Sequence, residues 1–72
     1  MSDFSYEIIK HIGVIDKSQN DWTKELNIIS YNGAKPKYDI RDWSPNHEQM
    51  GKGITLTDYQ MQKLIELLKE EY

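Results

Sequence analysis

Seventy-two residues, no cysteine, a net charge of −3 and a pI near 5.2 bound what this chain can be. The length gives one domain, residues 1–72, with a core so small that burial is often completed by oligomerisation. The lack of cysteine excludes a disulfide framework and a thiolate metal site. No apolar run approaches the roughly 18 residues of a spanning helix, and the start MSDFSYEIIKHIG has no signal-peptide pattern, so a soluble, cytoplasmic protein away from membranes is expected.

From Phe4 to Ile15, Phe4, Tyr6 and Ile8 alternate onto one face, but Ile9 beside Ile8 and Val14 beside Ile15 break the period. A strand with a bulge, or with a part buried on both sides, fits this pattern. A short helix competes, because Ile8, Ile9 and Ile12 have helical spacing; Gly13 and the β-branched residues favour the strand. Asp16 to Asp21 is a polar turn. Trp22 to Tyr31 reads as a second strand with Leu26, Ile28 and Ser30 on one face and Asn27, Ile29 and Tyr31 on the other. Trp22 and Lys24 join Leu26 unless a bulge intervenes. Asn32-Gly33 is a hairpin signal, since both residues accept positive φ.

The third strand, Lys37 to Trp43, puts Lys37, Asp39, Arg41 and Trp43 on one face and Tyr38 and Ile40 on the other. Cations beside an indole do not suit a dry core; they suit a surface that grips something anionic and flat. Ser44 to Met50 is a loop, Gly51-Lys52-Gly53 opens a fourth strand, and Ile54 and Leu56 are expected to point into the core. Thr57 with Gln60 spells a capping box. Met61, Leu64, Ile65 and Leu68, widened by Leu67, form the apolar stripe of a final helix.

The run Tyr38-Asp39-Ile40-Arg41-Asp42-Trp43, the Pro-containing polar loop, and Gly51-Lys52-Gly53-Ile54-Thr55-Leu56 ahead of a helix resemble the positive-cofactor-four (PC4-like) family of transcriptional coactivators, most nearly its small bacterial YdbC-like branch. The likeness runs from Trp22 into the final helix. It implies an α+β fold: a four-stranded antiparallel sheet followed by one C-terminal helix, paired through the helices into a homodimer. It also implies that the sheets bind single-stranded DNA with little sequence preference. Arg41 and Lys52 match positions of DNA-contacting cations. Trp43 stands one residue from the family's stacking aromatic, and Tyr31 corresponds once the hairpin is given a gap.

Stacking aromatics and phosphate-tracking cations are the signature of single-strand binding. The candidates are Trp22, Lys24, Tyr31, Lys35, Lys37, Arg41, Trp43 and Lys52. Spacing alone favours tryptophans that fill a core and lysines that only face water; the family resemblance reverses that preference. The acidity of the whole chain counts against nucleic acid, but residues 22–52 carry five cations and four acids, a net of +1, leaving −4 for the rest. His11 and His47 lie far apart without ligand spacing and are expected to be solvent-exposed, with no metal site. Asp39, between Lys37 and Arg41 on its face, is expected to order those side chains rather than catalyse. No enzyme chemistry and no cofactor are expected. A protein-interaction module using a strand edge or the acidic helix, and single-stranded RNA as ligand, are the alternatives.

Overall fold

The computed structural model describes residues 4–72. Strands β1 (Tyr6–Lys17), β2 (Thr23–Tyr31), β3 (Lys37–Trp43) and β4 (Met50–Leu56) form one antiparallel sheet in the order β1-β2-β3-β4, and helix α1 (Asp58–Lys69) follows. This is the expected α+β arrangement. Asn32 (φ 52°) and Gly33 (φ 74°) both take the left-handed conformation between β2 and β3, as the hairpin signal requires. The capping box also forms: the Gln60 amide donates to Thr57 Oγ1 at 3.1 Å, and the Thr57 amide donates to Gln60 Oε1 at 2.9 Å.

Residues directly opposite in an antiparallel pair share a face. The β2–β3 ladder is unbroken, so Thr23, Glu25, Asn27 and Ile29 stand with Trp43, Arg41, Asp39 and Lys37. The other face carries Lys24 with Asp42, Leu26 with Ile40, and Ile28 with Tyr38. We call these the polar face and the helix face, because α1 lies beside Ile54 and Leu56 of the second one.

Strand β1 slips register between Ile8 and Lys10, His11 and Gly13, and Val14 and Asp16. Each slip leaves one extra residue, and the three are Ile9, Ile12 and Ile15. The spacing of three that imitates a helix is therefore a strand bulged every third residue. Each bulge restores Tyr6, Ile8, His11, Val14 and Lys17 to the polar face, opposite Tyr31, Ile29, Asn27, Glu25 and Thr23.

The core lies where it was not expected. Trp43 and Ile29 are completely buried, together with Glu25, Asn27 and Asp39, all on the polar face; on the helix only Met61 is buried. The loop Ser44–Gln49 produces this burial by folding back over Trp43. It is tied internally by Ser44 N–H to the Gln49 carbonyl (3.0 Å), Gln49 N–H to Ser44 Oγ (3.0 Å) and His47 N–H to the Ser44 carbonyl (2.9 Å). Conversely, Ile54 is exposed rather than in the core, because β4 is the sheet edge and α1 leaves it uncovered. Ile9, Ile12, Ile15, Ile65, Leu67 and Leu68 are exposed as well.

Gly53 shows how tightly β3 and β4 approach. A Cβ added there would collide with Arg41 Cβ and the Ile40 carbonyl oxygen, whereas one added at Gly13 meets nothing within 4 Å. Gly53→Ala is expected to cost about 1–3 kcal/mol through forced displacement, and Gly13→Ala to stay within about 0.5 kcal/mol of wild type. Urea denaturation midpoints of the two variants check the contrast.

Candidate nucleic-acid interface

Two buried carboxylates organise the polar face. Asp39 is wholly inaccessible and accepts from Arg41 Nε (3.0 Å to Oδ1), Arg41 Nη2 (3.0 Å to Oδ2) and the Tyr31 hydroxyl (2.9 Å to Oδ2). Arg41 Nη1 donates to the Gly51 carbonyl at 3.0 Å, and the guanidinium carbon lies 5.8 Å from the Tyr31 ring centroid. Asp39 thus orders Arg41, as expected. The hydrogen bond to Asp39 raises Arg41 above the ordinary guanidinium value, against the effect of burial. Burial first, and then the bond and charge of Asp39, push the Tyr31 phenol up to about 12.

Glu25, 3% exposed, is the second centre. It accepts from Thr23 Oγ1 (2.6 Å), Asn27 Nδ2 (3.3 Å) and His47 Nε2 (2.8 Å). Asn27 Oδ1 in turn accepts from His11 Nδ1 at 2.6 Å. Burial alone would raise the Glu25 carboxyl, but the bonds from Thr23, Asn27 and His47 and the charge of His47 outweigh it and hold it below its ordinary range. The two histidines are therefore not independent surface residues: the register of β1 and the fold of the loop bring both to one carboxylate. His47 sits there with a left-handed backbone (φ 59°), and its ring stacks on Trp43 at 5.4 Å. No group of three His, Cys, Asp or Glu among the described residues is arranged to hold a metal ion.

An aromatic cluster completes the face. Phe4, Tyr6 and Tyr31 lie 6.0–6.5 Å apart by centroid, and Tyr6 reaches Trp43 at 5.6 Å. Phe4 and Tyr6 are exposed. Neither was a candidate from the sequence, nor were His11 and His47. The alternation of Phe4, Tyr6 and Ile8 was visible, but only pairing with Tyr31 shows which face they join.

The eight sequence candidates divide. Tyr31, Lys37 and Arg41 share the polar face, with exposed Lys35 on the adjoining turn. Trp43 shares that face but is sealed beneath His47 and Tyr6, with Nε1 buried and unpartnered among the described residues. The expected open stacking surface at Trp43 is thus corrected. Lys24 lies on the opposite face, since no bulge interrupts β2, and it pairs with Asp42 at 3.0 Å. Trp22 is half-buried and touches the position of Gly51. Lys52 is exposed on β4 at the register slip, next to Gly53, which opposes Arg41.

Residues 18–67, which include all of β2, β3 and β4 and most of α1, match the model of the family described as Transcriptional Coactivator p15 (PC4). The chain belongs to the PC4 family. It is also 48% identical over 66 residues to an uncharacterized protein of Treponema pallidum (strain Nichols), an alignment covering 92% of this chain and 78% of that one. The PC4 match includes Tyr31, Asp39, Arg41, His47 and Lys52, while Phe4, Tyr6 and His11 lie outside the matched residues.

Removing Arg41 leaves Asp39 as a buried, unpaired charge. Arg41→Ala is expected to cost about 3–5 kcal/mol in urea denaturation, whatever its effect on binding. Tyr31 gives a second test. Its folded-state value lies above that of a free phenol, so the neutral ring contributes stability up to about pH 10, and that contribution is lost as pH rises through about 12. In a spectrophotometric titration one tyrosine should ionise last, and Tyr31→Phe should remove that step.

Proposed function

We propose that this protein binds single-stranded DNA in the cytoplasm with little sequence preference, in a transcriptional, replicative or repair role, through the polar face of its sheet and without performing chemistry. The observation that carries the reading is the row of rings at Phe4, Tyr6 and Tyr31, with Arg41 clamped over Tyr31 and Lys35 and Lys37 exposed beside it. Bases stack on such rings while cations follow the phosphates. Family membership supports the reading, since the family is described as transcriptional coactivators. Lys52, exposed on the edge strand, joins as a rim cation.

The working unit is a homodimer. Ile65, Leu67 and Leu68 on α1 and Ile54 on β4 are exposed, and α1 lies along a groove lined by Ile54, Leu56, Tyr59, Leu64 and Leu67. So much contiguous apolar surface on so small a domain marks an interaction site, and a two-fold pairing through α1 covers it while presenting two polar faces to one strand.

Fluorescence titration with a short single-stranded oligonucleotide tests the function. Tyr31→Ala and Tyr6→Ala should each weaken binding by about 1–3 kcal/mol. Lys35→Gln with Lys37→Gln should weaken all sequences alike and flatten the salt dependence by about 0.7 in log–log slope for each phosphate deprived of its cation. Unchanged affinity in all of these variants would remove the polar face as the site. A matched RNA strand in the same titration measures the preference between the two, since stacking does not sense the 2′-hydroxyl. Leu67→Glu should convert the dimer to monomer in sedimentation equilibrium; a monomeric wild type would overturn the pairing.

A further inference from the structure

Beside the ring row the polar face opens into a cleft of about 690 Å³ between β1 and the β3–β4 loop, within the roughly 300–1,000 Å³ of small-ligand sites. Ile8, Val14 and Pro45 supply apolar walls; His11, His47, Lys17 and Thr23 line it with the carboxylates of Asp21 and Glu25. Resting on the reading of the face as a single-strand site, we propose that this cleft holds one nucleotide of the bound strand, its base against Ile8, Val14 and Pro45 and its phosphate on His11 and His47, and that it does so only when these histidines carry a proton.

The hydrogen-bond directions carry the argument. Glu25 can only accept, so His47 Nε2 is the protonated nitrogen; Asn27 donates its amide to Glu25, so its oxygen accepts and His11 Nδ1 is protonated. The other nitrogen of each ring, His47 Nδ1 and His11 Nε2, has no hydrogen-bond partner among the described residues. In a neutral ring that free nitrogen is a lone pair, which repels a phosphate oxygen; in an imidazolium it is a second N–H, which binds one. Both rings are about half exposed (side chains 52% and 45%), while the carboxylate beneath them is buried at 3%. The proton therefore changes what the ligand meets without exposing Glu25.

The other charged groups around the clasp do not duplicate this change. Lys17 at the mouth is paired with Asp21 at 3.6 Å. Arg41, opposite Glu25 on β3, is committed to Asp39. The Tyr6 hydroxyl donates to the His47 carbonyl at 3.4 Å. Histidine is the group whose charge changes between about pH 5 and 8, and Glu25, held below its ordinary range, stays ionised there.

The test is an oligonucleotide titration of the full chain across a salt series at about pH 5.5 and about pH 8, either side of the histidine range. Binding should be tighter at the lower pH, and the log–log salt slope should be steeper by about 0.7 for each imidazolium placed on a phosphate, or about 1.4 for both. His11→Gln and His47→Gln, whose amides can still donate to Asn27 and Glu25, should each remove about half of that difference. Histidines that serve only to brace Glu25 would alter stability with pH but not the salt slope. Equal wild-type slopes at the two pH values would overturn the proposal whether or not the variants fold. Such slopes, with binding still dependent on Lys35, Lys37 and Tyr31, would leave the single-strand function standing; no binding at either pH would remove both.

Discussion

The arrangement depends on burying two carboxylates, Glu25 and Asp39, in the face of a sheet that has almost no other core. An ionised group taken out of water is tolerable only when its hydrogen-bonding capacity is filled and its charge is matched. Asp39 meets the condition with three charge-assisted bonds that fix Arg41 and with a fourth group, the Tyr31 hydroxyl. Glu25 meets it with a threonine, an asparagine and a histidine from β2 and the loop. Of the side chains proposed to touch a ligand, Tyr31, Arg41 and His47 are such partners, and Tyr6 packs against Tyr31. The surface is held in place by the same bonds that make its burial tolerable, so recognition and stability are difficult to separate by mutation.

The two faces divide the work. On the polar face, packing is done by Trp43, Ile29 and the buried carboxylates under the loop, leaving rings and cations at the margin. On the helix face Met61 alone is buried, and isoleucines of β1 and β4 and leucines of α1 remain in water. A sheet this short cannot satisfy both sides from one chain, because area scales poorly at this size. The proposed second copy would close the apolar side while leaving the polar side open.

Local rules read the capping box at Thr57, the left-handed pair at Asn32-Gly33 and the alternation of β2 and β3 directly from the residues, because each depends on neighbours a few positions away. Alternation also placed Lys37, Asp39, Arg41 and Trp43 together. It could not say that their side was the packed one, since that follows from the loop returning over Trp43, a contact with no local signal. The threefold spacing of Ile9, Ile12 and Ile15 was ambiguous for a related reason: helix and serially bulged strand leave the same trace until a partner strand fixes the register. The meeting of His11 and His47 was hidden more deeply. It needs the two β1 bulges between Ile8 and Gly13, the β2 pairing and the loop geometry all at once.

The acidity of the chain then takes on a different meaning. Of the four acids between residues 22 and 52, Glu25 and Asp39 are inside and hydrogen-bonded, Asp42 is paired with Lys24 on the opposite face, and Glu48 is exposed on the loop. The cations of the polar side fare differently: Lys35 and Lys37 stand in solvent, where a phosphate can reach them. The acids gathered near the C-terminus, Glu66, Glu70 and Glu71, are on or just beyond α1, away from the ring row. With a Debye length of about 8 Å at physiological ionic strength, a strand lying on the rings responds mainly to the charges nearest it. A net charge of −3 is compatible with a cationic binding surface because burial removes negative charge from that surface and distance screens the remainder. The residual field is weak, so in the proposed binding mode stacking would supply much of the affinity and protons on two histidines would shift it.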